Sequence, residues 1–132
     1  IIALGNYVMV HGGAPSSLES LDRIRKKEEE LLWNDPGDVD GTMPSMRGIG
    51  KIFGKSVTIK FLELTSAKTL IRSHEPCDGV EVWHDGLGIT VFSRLGAPYF
   101  NEHAAYLDID LSSRLDGHEL AKSAKRFSAR EL

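Results

Sequence analysis

Two histidines in this sequence end apolar runs in the same way. In "YVMVHGGAP", residues 7 to 15, the run Tyr7, Val8, Met9 and Val10 leads to His11, and Gly12 and Gly13 follow. In "TLIRSHEP", residues 69 to 76, Leu70 and Ile71 lead through Arg72 and Ser73 to His74, and Glu75 and Pro76 follow. Short apolar runs of this kind suit strands buried on both faces, so each imidazole is expected at a strand's carboxyl end. Glycine lacks a Cβ and lets the chain turn sharply or approach another segment closely, while proline ends regular structure. Two imidazoles presented from neighbouring strand ends could share one metal ion, because ring-nitrogen ligands need rigid placement roughly 2.0 to 2.1 Å from it. Their separation along the chain excludes a local H-x-x-x-H arrangement. A lone strand-end histidine also serves as an ordinary hydrogen-bonded structural residue.

The elements that must carry these groups can be read from periodicity and punctuation. A strand is expected over 6–11. The stretch "SSLESLDRIRKKEEELLW" follows as a helix over 16–33, with Ser16 and Glu19 forming a capping box and Leu18, Leu21, Ile24, Leu31 and Leu32 its apolar stripe. The charged block from Arg25 to Glu30 reads as a solvated face. "NDPGDVDGTMPS", rich in Asp, Gly and Pro, reads as a loop. A second helix is expected over 55–65, burying Val57, Ile59, Phe61, Leu62 and Leu64. Strands are expected near 68–73, 79–84 and 87–93, the last two joined by a hairpin at Asp85-Gly86, and again in "AAYLDIDL", 104–111. The ending "GHELAKSAKRFSAREL" reads as a polar, peripheral helix, with His118 exposed on it and His84 exposed in the hairpin.

Composition narrows the function classes. The chain has 132 residues, 41% of them hydrophobic, which is enough for one packed domain or part of one. A net charge of -3 gives no electrostatic footprint for nucleic acid, and no run of about 18 apolar residues could span a membrane. Cys77 is the only cysteine, so no intrachain disulfide can form, and no signal-like segment is visible; a cytoplasmic setting is the expectation. The opening "IIALGN" lacks an initiator methionine and suggests a piece of something longer. "GIGKIFGKS" imitates a nucleotide-binding loop, but Gly50 and Gly54 enclose three residues where Walker A needs four, and "TMPSM" is no buried strand for a dinucleotide fingerprint. The position six residues on from Cys77 holds Trp83 where a cysteine phosphatase needs arginine, so Cys77 reads as structural.

The order of motifs supplies a resemblance. "VHGG", "LLWNDP", "RGIGKIFG", "LIRSHE", "DGVEV" and "TVFS" followed by "AP" resemble, in order and spacing, the carboxyl-terminal half of the phosphoprotein phosphatase family of metal-dependent serine/threonine phosphatases. The likeness runs from Tyr7 to Leu111, and "FSRLGAPYFNEHAAYLDIDL" looks similar to archaeal members. The implied fold is α/β, the carboxyl-terminal half of a metallophosphatase β-sandwich flanked by helices, of the calcineurin-like phosphoesterase type. Residues 1–111 would form that half and 112–132 a peripheral helix.

Carried over by motif position, the resemblance makes His11 and His74 ligands of one of two adjacent divalent ions, with manganese expected and iron or zinc as alternatives. It makes Arg47 the holder of the substrate phosphate, for which a planar guanidinium fork suits two oxygens. Asp35 and Arg72 match positions lining or supporting the same cleft, and Tyr99 matches the family's tyrosine in the loop after "FS", although "RLGAPYFNEH" is rearranged there. His103, after "APYFNE", could approach the cleft. The implied reaction is hydrolysis of phosphate monoesters on a phosphoprotein. Two ions roughly 3.5 to 4 Å apart would activate a hydroxide for in-line attack, and a general acid would protonate the leaving oxygen.

The family's amino-terminal motifs, of the forms GD-x-HG, GD-x-VDRG and GNHE, are not in this sequence. "GDVDG" at 37–41 reads as turn chemistry, and "GNY" at 5–7 lacks the histidine and glutamate. The missing half is therefore an expected partner, and the chain alone is expected to be inactive. A dinucleoside polyphosphate hydrolase on the same scaffold and a noncatalytic interaction module are the alternatives.

Overall fold

The computed structural model describes residues 1–130. Strand β1 (Ile2–Leu4) turns back at Gly5 into β2 (Tyr7–Met9), forming a hairpin in place of the lone strand expected over 6–11. The helix expected over 16–33 is shorter. Ser17 adopts φ 52°, off the helical path, and Ser16 gives its amide and hydroxyl hydrogens to Glu30 Oε2 at 2.8 and 2.7 Å rather than capping a first turn. Ser20 instead caps a 3-10 turn over Leu21–Lys27, which runs into α1 (Glu28–Trp33). Leu18, Ile24 and Leu31 join the core as expected, but Leu21 and Leu32 are exposed.

The polar stretch read as a loop contributes two strands. Strand β3 (Asp35–Pro36) pairs in parallel, and β4 (Thr42–Pro44) antiparallel, with β5 (Lys51–Phe53). Helix α2 spans Lys55–Thr65, with the expected bounds. It buries Phe61 and Leu62 against Val8, Phe53 and Leu70, while Ile59 is exposed and Thr58 is fully buried in its stead. Next come β6 (Thr69–Arg72), β7 (Val80–Trp83) and β8 (Gly88–Val91), the last two joined through a tight turn in which Asp85 and Gly86 both take positive φ.

The main sheet is mixed, in the order β1-β2-β6-β8-β7, with β2, β6 and β8 parallel. Its centre alternates as a doubly covered sheet must. Val8 and Leu70 face α2, and Tyr7, Ile71 and Ile89 face a second core closed by Leu120. Strand β9 (His103–Tyr106) covers only the start of the strand expected over 104–111; Leu107 and Ile109 leave it to pack on the second core. The ending is a correction as well. A capping box at Asp116 and Glu119 starts helix α3 (Gly117–Ser123), and the chain then extends as β10 (Lys125–Ser128) along β9. The helix expected through 132 thus stops at Ser123, its last two residues lying outside the described ones. Among the described residues no helix is long and apolar enough to cross a membrane.

Glu30 holds the 14–18 segment and α1 together and sets an acid limit. Burial alone would raise its carboxyl, but the two hydrogen bonds from Ser16 and the cations Lys27 and Lys51 outweigh that and carry it down to about 2. A depressed carboxyl stabilises above its unfolded value of 4.5, and the benefit fades as pH falls through about 2. On the order of 3 kcal/mol is at stake. Urea unfolding at pH 7 and pH 2.5 should show a larger stability loss in the native chain than in Glu30→Gln.

Candidate metal and phosphate site

The parallel pairing of β2 and β6 brings the two histidines together. The ladder continues past the strands, with Val10 N–H donating to Ile71 O at 3.1 Å and Ser73 N–H to His11 O at 3.2 Å. Side chains at the carboxyl ends of adjacent parallel strands thus emerge side by side, the usual place for a ligand site in such sheets. His74 takes a left-handed φ of 72°, which turns its ring back over His11. His74 Nδ1 and His11 Nε2 stand 3.2 Å apart.

Gly12 and Gly13 make room for the segment that carries the rest. A Cβ on Gly12 would lie 2.5 Å from the carbonyl carbon of Leu32, and one on Gly13 2.1 Å from the Phe53 ring and 2.9 Å from Asn34 O. The end of α1 therefore lies directly on the two glycines, and Gly12 N–H donates to Leu31 O at 2.7 Å. That contact sets Trp33 edge-on to His74, ring centroids 5.3 Å apart, and sends Asn34 and Asp35 beneath it.

Arg72 organises the floor. Its side chain is fully buried. Nε donates to Gly12 O, Nη2 to Asp35 Oδ1 at 2.7 Å and Asn34 O at 3.2 Å, and Nη1 to Glu75 Oε2 at 2.7 Å and Thr90 Oγ1 at 3.4 Å. Arg47 lies above, partly exposed. Its Nη1 is 3.0 Å from His74 Nε2, and its Nη2 is 3.6 Å from Asp35 Oδ2 and 4.0 Å from Glu75 Oε1. Burial pushes the His74 ring down against the opposing pull of Asp35, and the Arg72 and Arg47 cations add to that push, so the imidazole is held neutral. Burial raises the Glu75 carboxyl, which the two arginines only partly offset.

Five of the six residues singled out in the sequence, His11, Asp35, Arg47, Arg72 and His74, thus share one contact network. Tyr99 does not join it among the described residues. Its ring packs edge-on against Phe92 at 5.0 Å, with Arg94 over its face. His103 is held by Asp78, Nδ1 to Oδ2 at 2.9 Å. His84, expected in solvent, is half-buried: Nδ1 meets Thr58 Oγ1 at 2.9 Å, Nε2 meets Gly37 O at 3.0 Å, and its ring lies edge-on to Phe53 and Trp83. His118 is exposed, as expected. Cys77 is half-buried, its thiol pushed up to about 11 by burial and Glu81, which leaves it a poor nucleophile.

Glu75 and Asn34 were missed. Glu75 stands three residues after Arg72, a spacing that brings the two into an ion pair here. Asn34 is fully buried and ties Ala14 O, at 2.9 Å, to the Lys51 amide, at 2.8 Å. Asn34 lies inside the quoted "LLWNDP" motif, but nothing in its local pattern, an amide between an apolar helix end and Asp35, shows that it is buried.

No family model matches the chain. Among curated proteins it is similar to serine/threonine-protein phosphatase T of Schizosaccharomyces pombe, 44% identical over 103 residues, covering 67% of this chain and 22% of the relative. It is similar as well to serine/threonine-protein phosphatase 5 of Arabidopsis thaliana, 43% identical over 102 residues, and of Homo sapiens, 35% identical over 142 aligned positions that cover 95% of this chain and 27% of the relative. Among solved structures it matches a Saccharomyces cerevisiae protein serine/threonine phosphatase with similarity to human PP5, at TM-score 0.72 and 28% identity, over 95% of this chain and 45% of that one. The chain spans about a quarter of the length of the curated relatives it matches.

Proposed function

The chain belongs to the phosphoprotein phosphatase family of serine/threonine phosphatases, and on that premise we propose that it supplies the carboxyl-terminal portion of a two-metal phosphomonoesterase site. Divalent ions are implied by the family; manganese, with iron or zinc as alternatives, is the identity proposed here.

The approach of His11 Nε2 and His74 Nδ1 to 3.2 Å is the observation that carries the reading. Two nitrogens each about 2.0–2.1 Å from one tetrahedral ion stand about 3.3 Å apart, so the pair fits a shared cation with little movement. With Arg47 donating to His74 Nε2, the neutral ring holds its proton on Nδ1, aimed at His11. Binding an ion at Nδ1 calls for the other neutral tautomer, with the proton on Nε2 and the Arg47 hydrogen bond released, and a ring that is already neutral needs no net loss of a proton to ligate. When bound, the ions supply an activated hydroxide and neutralise phosphoryl oxygens.

The protein groups do the rest. Arg47 presents a guanidinium to the side of the cleft open to solvent, where it can grip two oxygens of a phosphoserine or phosphothreonine. Asp35 and Glu75 keep that fork in place, and Arg72 fixes both carboxylates from below. The phosphoprotein substrate, the partnering amino-terminal half and a cytoplasmic setting belong to the same proposal.

A test follows with p-nitrophenyl phosphate and inorganic phosphate. The 132-residue chain with Mn2+ should show no turnover, because the bridging carboxylate and the acid belong to motifs it lacks. It should nevertheless bind inorganic phosphate, and Arg47→Ala should weaken that by roughly 10-fold or more, in line with one charge-assisted fork worth about 1.5–3 kcal/mol. Turnover abolished by His74→Ala would overturn the expected inactivity, and phosphate binding indifferent to Arg47 would remove the phosphate assignment.

A further inference from the structure

A second group of ligand-type side chains lies outside this cleft. One oxygen each of Asp78 and Glu102 and one ring nitrogen of His103 lie within 4.8 Å of one another. They come from two separate segments, the β6–β7 connection and the run into β9, which the fold clamps together. Asp78 Oδ1 accepts the His103 backbone N–H at 2.7 Å, and Oδ2 meets the His103 ring at 2.9 Å. Those hydrogen bonds keep the Asp78 carboxyl below the ordinary carboxylate range, so it stays ionised at neutral pH.

Independent of the cluster's own hydrogen bonds, the adjoining Asn101 has an acceptor with nothing to accept. Its Nδ2 is committed to Arg94 O at 2.9 Å and His103 O at 2.6 Å, which fixes the amide's orientation. Its Oδ1 is sealed from solvent and has no hydrogen-bond partner among the described residues. A buried orphan acceptor of this kind is what a bound ion or water satisfies. Asn101, Glu102 and His103 also line an open hollow of about 490 Å³, so an ion has access and room for water in its shell. Arg130 lines the same hollow as Glu102, and Asp78 brings the second carboxylate from beside His103.

We propose that Asp78, Glu102 and His103 form a transition-metal site, of the one-imidazole, two-carboxylate type that takes Zn2+ with water completing the shell, and that the ion pins the 94–102 loop to the β6–β7 connection. Mixed nitrogen and oxygen donors select borderline ions over calcium or magnesium. The site is distinct from the His11 and His74 pair and does not depend on the phosphatase reading.

The experiment is calorimetric titration of Zn2+ into the metal-stripped chain carrying His11→Ala and His74→Ala, with folding checked by circular dichroism. One Zn2+ should still bind, and adding His103→Gln or Glu102→Gln should weaken it at least 10-fold, with the thermal stabilisation by Zn2+ lost in parallel. Glu102→Gln removes a ligand without touching the Asp78–His103 hydrogen bonds, so a failure to fold in the histidine variant leaves the question decided. No binding to the double-alanine chain, or binding unchanged by both further substitutions, overturns the proposal.

Discussion

Replacing Arg72 with leucine lowers the stability of the chain by about 3–5 kcal/mol, the cost of removing one partner from a buried ion pair. The guanidinium is fully buried and serves Gly12 O, Asn34 O, Asp35, Glu75 and Thr90 together. Leucine fills part of the volume but leaves two carboxylates facing one another in a desolvated floor. Lysine keeps the charge yet reaches one or two of these acceptors, so Arg72→Lys should fall between the native chain and Arg72→Leu. Urea denaturation with the slope held constant reads the difference directly. A loss under about 1 kcal/mol for Arg72→Leu, the size of an exposed pair, would mean that the floor does not depend on this residue.

His11 and His74 were legible because short apolar runs with polar ends mark strand termini, and the pairing of β2 with β6 supplied what the spacing could not. The glycines after His11 were legible as a site of close approach, but not what approaches, since that is the end of α1 some twenty residues on. Ser16 misled because its local capping pattern competes with a distant carboxylate, Glu30, that takes both its hydrogens. The "NDPGDVDGTMPS" stretch has turn composition, yet two pieces of it pair with β5, a tertiary choice that local propensity does not encode. The same holds at the end, where α3 gives way to β10 because β9 offers an open edge. Ile59 was assigned to the core by hydrophobicity, whereas Thr58 is buried because His84 waits to bond its hydroxyl.

The other large effect concerns the histidines. A ligand lost from a metal site costs at least as much as the 10–100-fold typical of the groups that merely orient ligands, so His11→Ala or His74→Ala should each weaken Mn2+ binding by about 100-fold or more. His11→Ala should cost little stability, because His11 is exposed, whereas His74→Ala should cost more, because its side chain is only 9% exposed and packs against Trp33 and Arg47. The two substitutions should also be strongly non-additive, since either alone dismantles the shared site.

Mn2+ titration followed by electron paramagnetic resonance, in an Asp78→Asn background that silences the second cluster, tests the shared-cation assignment most directly. The expected result is one bound ion in the parent, lost alike in His11→Ala and His74→Ala while circular dichroism stays unchanged. A folded parent that binds no Mn2+, or one whose binding survives both substitutions, would contradict it and leave this half-fold as a noncatalytic interaction module.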